Sequence, residues 1–224
     1  MTGLEIDHVF VFTRPGAPEA AALEAAGLRE SFRRAHPGQG TGNVCYCFDD
    51  AYLELLWVVD PDELASPAVA PTRLAERAAW ERTGACPFGI ALRGAGPMPF
   101  ATWDYRAPFL PADMAIPVAE ASADPAQPFL FRSPGTSRPD AWTDGRAGMR
   151  QAAAGLAGMG AVHLDVPAGV RPAPALAALE RAGLLTVATG ASAWSMRLSP
   201  ARAGGGAPLR LALPGFAVAG FSVG

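Results

Sequence analysis

The sequence of 224 residues contains no lysine, so all 18 of its basic residues are arginines. This absence excludes Schiff-base chemistry on a lysine, anchoring of pyridoxal phosphate and a Walker-type phosphate loop, because each of them requires a lysine amine. The net charge is −3, and the arginines are scattered singly except for the pair Arg33-Arg34. Without a basic patch, nucleic acid is not an expected partner.

Cysteine is also scarce, with Cys45, Cys47 and Cys86 as its three occurrences. An odd number with two residues spaced i, i+2 does not form a disulfide framework, and C-x-C without a second pair is a poor zinc signal. No basic segment followed by an apolar stretch opens the chain, and no run of about 18 apolar residues occurs in it. We therefore expect small reduced core thiols in a soluble, cytoplasmic protein that has no membrane partner.

Half of the residues are apolar, which is enough for a substantial core. Residues 4–13, LEIDHVFVFT, predict a buried strand, and residues 17–27 predict a helix that ends at Gly27. Three further strands are predicted around a glycine-rich turn at 38–42, and they cover residues 28–33, 43–48 and 52–59.

Residues 7–28 and 162–184 resemble each other. Each stretch has a histidine on an apolar strand, His8 or His163, followed by a Pro/Gly break, an Ala-rich helix and the sequence Ala-Gly-Leu. Candidate strands follow the second copy at 192–198, 208–213 and 216–223. This pattern predicts one module, strand–helix–strand–strand–strand, at both ends of the chain.

The stretch between the two copies is less regular. We expect residues 62–80 to be mostly helical after Pro71, and strands to follow at 86–94, 114–120 and 127–134. Residues 133–148 are polar and rich in Pro, Gly and Asp, which indicates an exposed loop. Such a loop either covers a site or connects two modules.

The order and spacing of five strings carry a resemblance to a known family: IDHVFVFT, then HPGQGTGN with YLELLWV, then PFGIALR and QPFLFRSP. Together they resemble the vicinal-oxygen-chelate superfamily, in its glyoxalase-like-domain branch, the fold of glyoxalases, bleomycin-resistance proteins and extradiol dioxygenases. The resemblance implies an α+β protein of repeated βαβββ modules, whose curled, mostly antiparallel sheets form a cup-like open barrel. It also implies a small-molecule ligand and a possible homodimer.

The resulting division has a glyoxalase-like domain, a linker and a C-terminal module. The domain covers residues 1–134, the loop or linker covers 135–158, and the module that repeats the N-terminal one covers 159–224. Within the domain, module 1 lies at 4–59 and a divergent module 2 lies at 86–134. The sequence leaves open which later module closes the cup with module 1.

Glu54 is the strongest candidate for a functional residue, because it lies within the apolar run AYLELLWV. An ionised carboxylate buried in such a strand costs several kcal/mol unless a cation or a hydrogen-bond donor meets it. One interpretation is an ion pair with Arg132 that fixes strand register. The other is a cavity in which Glu54 acts with His8.

The resemblance implies that His8 and Glu54 are ligands of a divalent metal such as zinc, iron, manganese or nickel, with His163 as a further candidate. The ligand set is incomplete. The second half of the domain offers Phe88 and Arg132 at the corresponding strands, and arginine cannot bind a metal. The alternative to metal ligation is that Glu54 acts as a metal-free base, while the alternative for His8 is a core histidine.

Polar residues cluster between His36 and Asn43, where glycines alternate with side chains that form hydrogen bonds. These residues are either a turn-rich connection or the rim of a binding site. In the second case the predicted substrate-binding residues are His36, Gln39, Thr41, Asn43 and Arg132, the last of these as the partner of a ligand carboxylate.

Two functions follow from these observations. The first is an enzyme with lyase, isomerase or dioxygenase-type chemistry on a small oxygenated molecule, with or without a carboxylate, and with His8 and Glu54 as catalytic residues. The second is a protein of the same fold that sequesters a small molecule without a reaction.

Overall fold

The computed structural model describes residues 3–214 and 217–219. Within this part, eight strands form one sheet and five form another. The first sheet contains β1 Glu5–Phe12, β2 Phe32–His36, β3 Thr41–Cys47, β4 Tyr52–Val58, β5 Phe88–Arg93, β6 Thr102–Tyr105, β7 Ile116–Ala119 and β8 Phe129–Arg132. The second contains β9 Leu156–Pro167, β10 Thr186–Ala191, β11 Ser195–Arg202, β12 Arg210–Leu213 and β13 Ala217–Ala219.

The eight-stranded sheet has the order β2-β3-β4-β1-β5-β8-β7-β6. Its two central strands, β1 and β5, are antiparallel, and each of them pairs on its other side with a parallel strand, β4 or β8. The two halves of the sheet therefore place their strands in mirrored order around the β1–β5 pair.

Strand β1 shows why this sheet has two different faces. Its side chains alternate, so that Phe10 and Phe12 belong to one apolar cluster while Val9 and Val11 belong to another. The Val9 cluster continues into the second sheet and its helix, and so joins the two sheets through one core. The Phe10 side of the sheet carries the cavity described below.

The helices are short. They are α1 Ala20–Ala25, α2 Pro61–Leu64, α3 Leu74–Ala78, α4 Trp80–Thr83 and α5 Pro174–Arg181. Helix α1 confirms the helix predicted at 17–27, and Gly27 follows it with a φ of +84°, a conformation that glycine adopts without strain. The segment 62–80, predicted to be mostly helical after Pro71, forms several short helices. In the described part of the chain, no helix is long and apolar enough to cross a membrane.

Several predicted strands change their bounds, and two strands were missed. The strand predicted at 28–33 lies at β2, so that His36 ends a strand and does not begin a loop. Strand β6 is short and lies in a proline-rich stretch, and β10 is largely exposed without clear alternation. Of the strand predicted at 216–223, β13 is described, while its other residues lie outside the described ranges.

The predicted repetition of complete βαβββ modules is not confirmed. In the second sheet β10, which follows α5, pairs directly and in parallel with β9, whereas β2, which follows α1, is three strands away from β1. The residues between β5 and β6 contain no helix. Among the described strands there is no closed barrel, because β2 and β6 are the two ends of the strand order. The fold is therefore a mixed α/β fold with large sheets and few helices.

Arg77 in α3 holds the helical segment against the far half of the sheet. Its side chain is fully buried and donates hydrogen bonds to backbone carbonyls, among them those of Cys86 and Ser122. The guanidinium also lies 5.7 Å from the ring centroid of Phe129, and burial lowers the pKa of Arg77 to about 10.

We expect Arg77→Met to lower the free energy of unfolding by about 3 kcal/mol or more, because several buried carbonyls would lose their donor. Urea denaturation followed by circular dichroism measures this change. Arg82→Met, at an exposed position of α4, is the matched control and should change stability by less than about 0.5 kcal/mol. Equal stability of the two variants would contradict the role assigned to Arg77.

Candidate functional site

The Phe10 face of the eight-stranded sheet contains a cavity of about 460 Å³. Residues from both halves of the sheet line it. Its polar side chains include Asp7, His8, His36, Gln39, Asn43 and Glu54. Its aromatic walls are formed by Phe10, Phe32, Tyr52, Tyr105, Phe109, Phe129, Phe131 and Trp142. The cavity is thus an apolar pocket with its polar groups concentrated on one side, as small-molecule sites usually are.

His8 and Glu54 meet in this cavity. Strands β1 and β4 are neighbours, and the ladder pairs Phe10 with Glu54. His8 lies two residues before Phe10, so the side chains of His8 and Glu54 project from the same face of the sheet. His8 Nε2 lies 3.5 Å from Glu54 Oε2, and both side chains are more than 90% buried. The imidazole ring stacks on Tyr52, with centroids 4.3 Å apart and planes 16° apart. The predicted proximity of the two residues is therefore present in the structure.

Asp7 is the residue that orients the His8 ring, although strand alternation alone would place it on the opposite face. The β1–β5 ladder is irregular between Ile6 and His8, as in a β-bulge, and such irregularities redirect side chains. As a result Asp7 Oδ2 lies 2.7 Å from His8 Nδ1.

A buried arginine balances the charge of Asp7. Arg93, 1% exposed at the end of β5, donates to Asp7 Oδ1 at 2.5 Å and to the backbone carbonyl of Asp50 at 2.7 Å, and it contacts Glu5 at 2.9 Å. Burial raises the pKa of Asp7, but the hydrogen bond and charge of His8 and the charge of Arg93 outweigh it, and the pKa falls below its ordinary value. Asp7 is therefore a carboxylate that accepts the Nδ1 proton of His8, which leaves Nε2 to face Glu54.

The hydrogen-bond partner of Glu54 is Asn43. Asn43 Nδ2 donates to Glu54 Oε1 at 2.5 Å, across the antiparallel β3–β4 pair. Both residues are buried and both line the cavity. The carboxylate that lies in an apolar strand is thus satisfied on one oxygen by an amide, while its other oxygen faces the imidazole.

The prediction that Arg132 binds substrate or pairs with Glu54 is wrong. On β8 the side chains of Phe129 and Phe131 occupy the cavity face, so Arg132 points to the other side. Its guanidinium donates to the backbone carbonyls of Gly94, at 2.7 Å, and Gly96. Arg132 therefore fixes the loop that follows β5.

The remaining predicted binding residues form a second hydrogen-bonded group beside the cavity. Thr41 Oγ1 lies 2.9 Å from His36 Nδ1 and accepts from Gln39 Nε2 at 2.8 Å. Tyr105 donates to Gln39 Oε1 at 2.9 Å, which joins the far edge of the sheet to the turn after β2. Burial lowers the pKa of His36, against the opposing charge of Glu54, so the imidazole is neutral near pH 7. Thr41 holds this group together without lining the cavity.

His163 does not join His8 and Glu54. It lies on β9 of the second sheet, where Nδ1 is 2.6 Å from Thr186 Oγ1 and Nε2 is 3.0 Å from Asp165 Oδ1. Both ring nitrogens have partners within that sheet. His163 therefore does not contribute the further metal ligand that the resemblance implied for the cavity. The resemblance between the two stretches misled the prediction because β9 has different neighbours from β1.

The three cysteines are free and buried. Burial raises the pKa of Cys47 and of Cys86 to about 12, and that of Cys45 well above its ordinary value. These thiols stay protonated and pack as small core residues, in agreement with the sequence prediction.

The polar segment 133–148 forms one wall of the cavity. Trp142 packs edge-on against Phe32 and Tyr52, with centroids 6.3 and 5.9 Å apart, and Arg146 lies 4.1 Å over the Trp142 ring. An ion pair between Arg138 and Glu5 ties the segment to β1. The sequence left open whether this segment covers a site or only connects two modules. Its contacts with the cavity support the first of these roles.

His8 and Glu54 do not form a complete metal site. The described part of the chain holds no cluster of three or more histidine, cysteine, aspartate or glutamate side chains able to bind a metal ion. A catalytic zinc site commonly has three protein ligands, and the donor set here consists of one imidazole and one carboxylate. The residues present therefore do not fit a resident divalent metal.

Comparison with known proteins gives two findings. A family model described as a glyoxalase-like domain matches residues 6–179. Among solved structures, a hypothetical protein from Staphylococcus aureus matches with a TM-score of 0.43 and 14% sequence identity, over 73% of this chain and 70% of that chain. No curated protein sequence matches.

We expect Asp7→Asn to lower the free energy of unfolding by about 2 kcal/mol at pH 7, because Arg93 and His8 lose a charged partner. A carboxyl with a lowered pKa in the folded state stabilises the fold above its ordinary value of 3.8, and this contribution is lost as the pH falls through the folded-state pKa. The difference between variant and wild type should therefore shrink as the pH falls below 3.8.

Denaturant unfolding at pH 7 and at successively lower pH measures this difference. Asp113→Asn, at an exposed position, is the control and should leave stability unchanged at every pH. A constant deficit of the Asp7 variant over the whole pH range would contradict the ion pair as its cause.

Proposed function

The chain belongs to the glyoxalase-like domain family of the vicinal-oxygen-chelate superfamily, and we propose that it is an enzyme that moves a proton on a small oxygenated molecule. The observation that carries this proposal is the line of contacts from Asp7 through His8 to Glu54 at the edge of an apolar cavity. Isomerisation and elimination next to a carbonyl group both begin with such a proton transfer.

The shape of the site supports a cup formed by the eight-stranded sheet alone. The hydrogen bond from Tyr105 to Gln39 connects the two edges of the sheet, which supports a curled sheet. All residues that line the cavity lie between Asp7 and Arg146, which supports a cup formed by the half of the sheet from β5 to β8 together with the first half. The second sheet then supports the cup from behind.

His8 and Glu54 suit the two roles in proton transfer. Because the Nδ1–H of His8 donates to Asp7, Nε2 is the nitrogen that exchanges a proton with the ligand, and the carboxylate of Asp7 stabilises the imidazolium form. Glu54 Oε2, 3.5 Å away, is the alternative acceptor on the same side of the cavity. A proton removed from one carbon of the ligand is returned to another atom of the same molecule in an isomerisation, or accompanies a leaving group in an elimination.

The aromatic walls favour this chemistry because they exclude water from the transfer. Phe10, Phe129 and Phe131 pack around one another with ring centroids 5.3 to 6.3 Å apart, and Phe131 contacts the His8 ring edge-on. Charges interact more strongly in such an apolar pocket than in water. Our proposal contains no metal and no oxygenase step, since the donor set does not fit a metal.

The second candidate function is sequestration without reaction. The observation that favours it is the set of eight aromatic side chains in the cavity lining, which provides a binding surface for a flat molecule whether or not a reaction follows. The two functions differ in whether His8 and Glu54 change the ligand or only bind it.

We expect the wild-type protein to catalyse exchange of the hydrogens next to the carbonyl of 2-hydroxyacetophenone in D₂O, measured by proton NMR. His8→Gln and Glu54→Gln should each lower the exchange rate on the order of 100-fold, because each removes a proton acceptor. His163→Gln is the matched control and should leave the rate unchanged. Binding of the probe without exchange by the wild type would instead identify sequestration.

We also expect protein purified without chelator to contain far less than one equivalent of divalent metal, measured by plasma mass spectrometry. Dialysis against EDTA should then leave the exchange rate unchanged. Stoichiometric metal that is lost in the His8→Ala, Glu54→Ala double variant would overturn the metal-free proposal.

A further inference from the structure

Arg34 lies at the mouth of the cavity. Phe32, Arg34 and His36 lie on one side of β2, and all three line the cavity, as does Arg33 between them. Arg34 is the ladder partner of Asn43, which contacts Glu54. Arg34 thus lies one strand further out than Asn43 and two strands away from Glu54.

The guanidinium of Arg34 makes a cation–π contact with an aromatic ring of the cavity wall. Its Cζ lies 5.4 Å from the centroid of Phe109, and the His36 ring lies 4.6 Å from the same centroid. A cation–π contact holds the charge near the ring without using the N–H donors of the guanidinium. Arg34 and Phe109 both line the cavity, so the contact holds the charge beside the ligand space.

Arg34 differs from the other arginines around the cavity, because each of those has an acidic partner. Arg93 pairs with Asp7, Arg33 with Glu30, and Arg146 with Asp144. Across the described residues, the structure shows no carboxylate and no hydrogen-bond acceptor for the Arg34 side chain. A fixed cation without a protein partner at the mouth of an apolar pocket is suited to an anionic ligand group.

We propose that the ligand of this cavity is a planar aromatic molecule with one carboxylate, which Arg34 binds at the mouth while the oxygenated end of the molecule reaches His8 and Glu54. The proposal rests on the function assigned above only for the placement of that oxygenated end.

The chemistry of the site favours a carboxylate over other anions. One guanidinium balances one negative charge, and its planar fork matches the two oxygens of a carboxylate. A phosphate ester carries up to two charges, and the neighbouring imidazole of His36 is neutral near pH 7. Aromatic rings line the space between Arg34 and His8, which suits a flat ring as the body of the ligand.

Calorimetric binding of 4-hydroxybenzoate and of its neutral amide, 4-hydroxybenzamide, tests this proposal at pH 7. The wild type should bind the carboxylate about tenfold more tightly than the amide, which corresponds to one charge-assisted hydrogen bond. Arg34→Gln should abolish this preference by weakening the carboxylate alone. Raised salt should reduce the preference of the wild type as well.

Arg33→Gln is the matched control. Arg33 is the adjacent residue on β2 and also lines the cavity, but its guanidinium is paired with Glu30 and lies 6.0 Å from the centroid of the Trp57 ring. This variant should keep the tenfold preference. Equal effects of the two variants would show that general charge, and not the Arg34 site, attracts the ligand.

Three other outcomes would overturn the proposal: equal affinity of the wild type for carboxylate and amide, binding of neither probe, or tighter binding of phenyl phosphate than of benzoate. These outcomes are separate from the deuterium-exchange test. Loss of the carboxylate preference with intact exchange contradicts the Arg34 site alone. Intact preference with exchange that is insensitive to His8 and Glu54 contradicts the proposed function alone.

Discussion

The buried ion pair between Asp7 and Arg93 is the constraint on which the site depends. Two charges without water are stable only with good geometry and full hydrogen bonding, and Arg93 achieves this by contacting Asp7, Glu5 and a backbone carbonyl. The irregularity in the β1–β5 ladder brings the Asp7 carboxylate to Nδ1 of His8. The ion pair thereby determines which nitrogen of His8 is available in the cavity, and so what His8 can do there.

The sheet holds this arrangement rigidly because both of its faces are packed. One face carries the cavity and its aromatic rings, and the other shares a core with the second sheet and α5. The side chains proposed to transfer the proton lie on the central strands β1 and β4, which have neighbours on both sides. The side chains at the mouth lie instead on the edge strand β2 and on connecting segments. Our proposals thus assign the chemistry to the most constrained elements and ligand selection to the less constrained ones.

The sequence was sufficient to predict that His8 and Glu54 lie close together. Period-two alternation on two apolar strands and the resemblance to the family both indicated this. The prediction for Arg132 was wrong because successive side chains along a strand point to opposite faces of the sheet. The sequence of β8 does not reveal which of its residues face the cavity. Asp7 and Arg93 were missed since the irregularity in β1 has no signature in the sequence. The prediction for His163 was wrong for a different reason. A local resemblance between two stretches of sequence does not determine which distant strands pair with each of them.

The wall formed by the segment 133–148 has a consequence for how this protein can diverge. The segment joins the two sheets, lies outside their ladders and contributes Trp142 and Arg146 to the cavity. Insertions or substitutions there can enlarge or reshape the ligand space while the hydrogen-bonded strands remain as they are. Relatives with the same His–Glu pair could therefore accept ligands of different size through changes in one connecting segment.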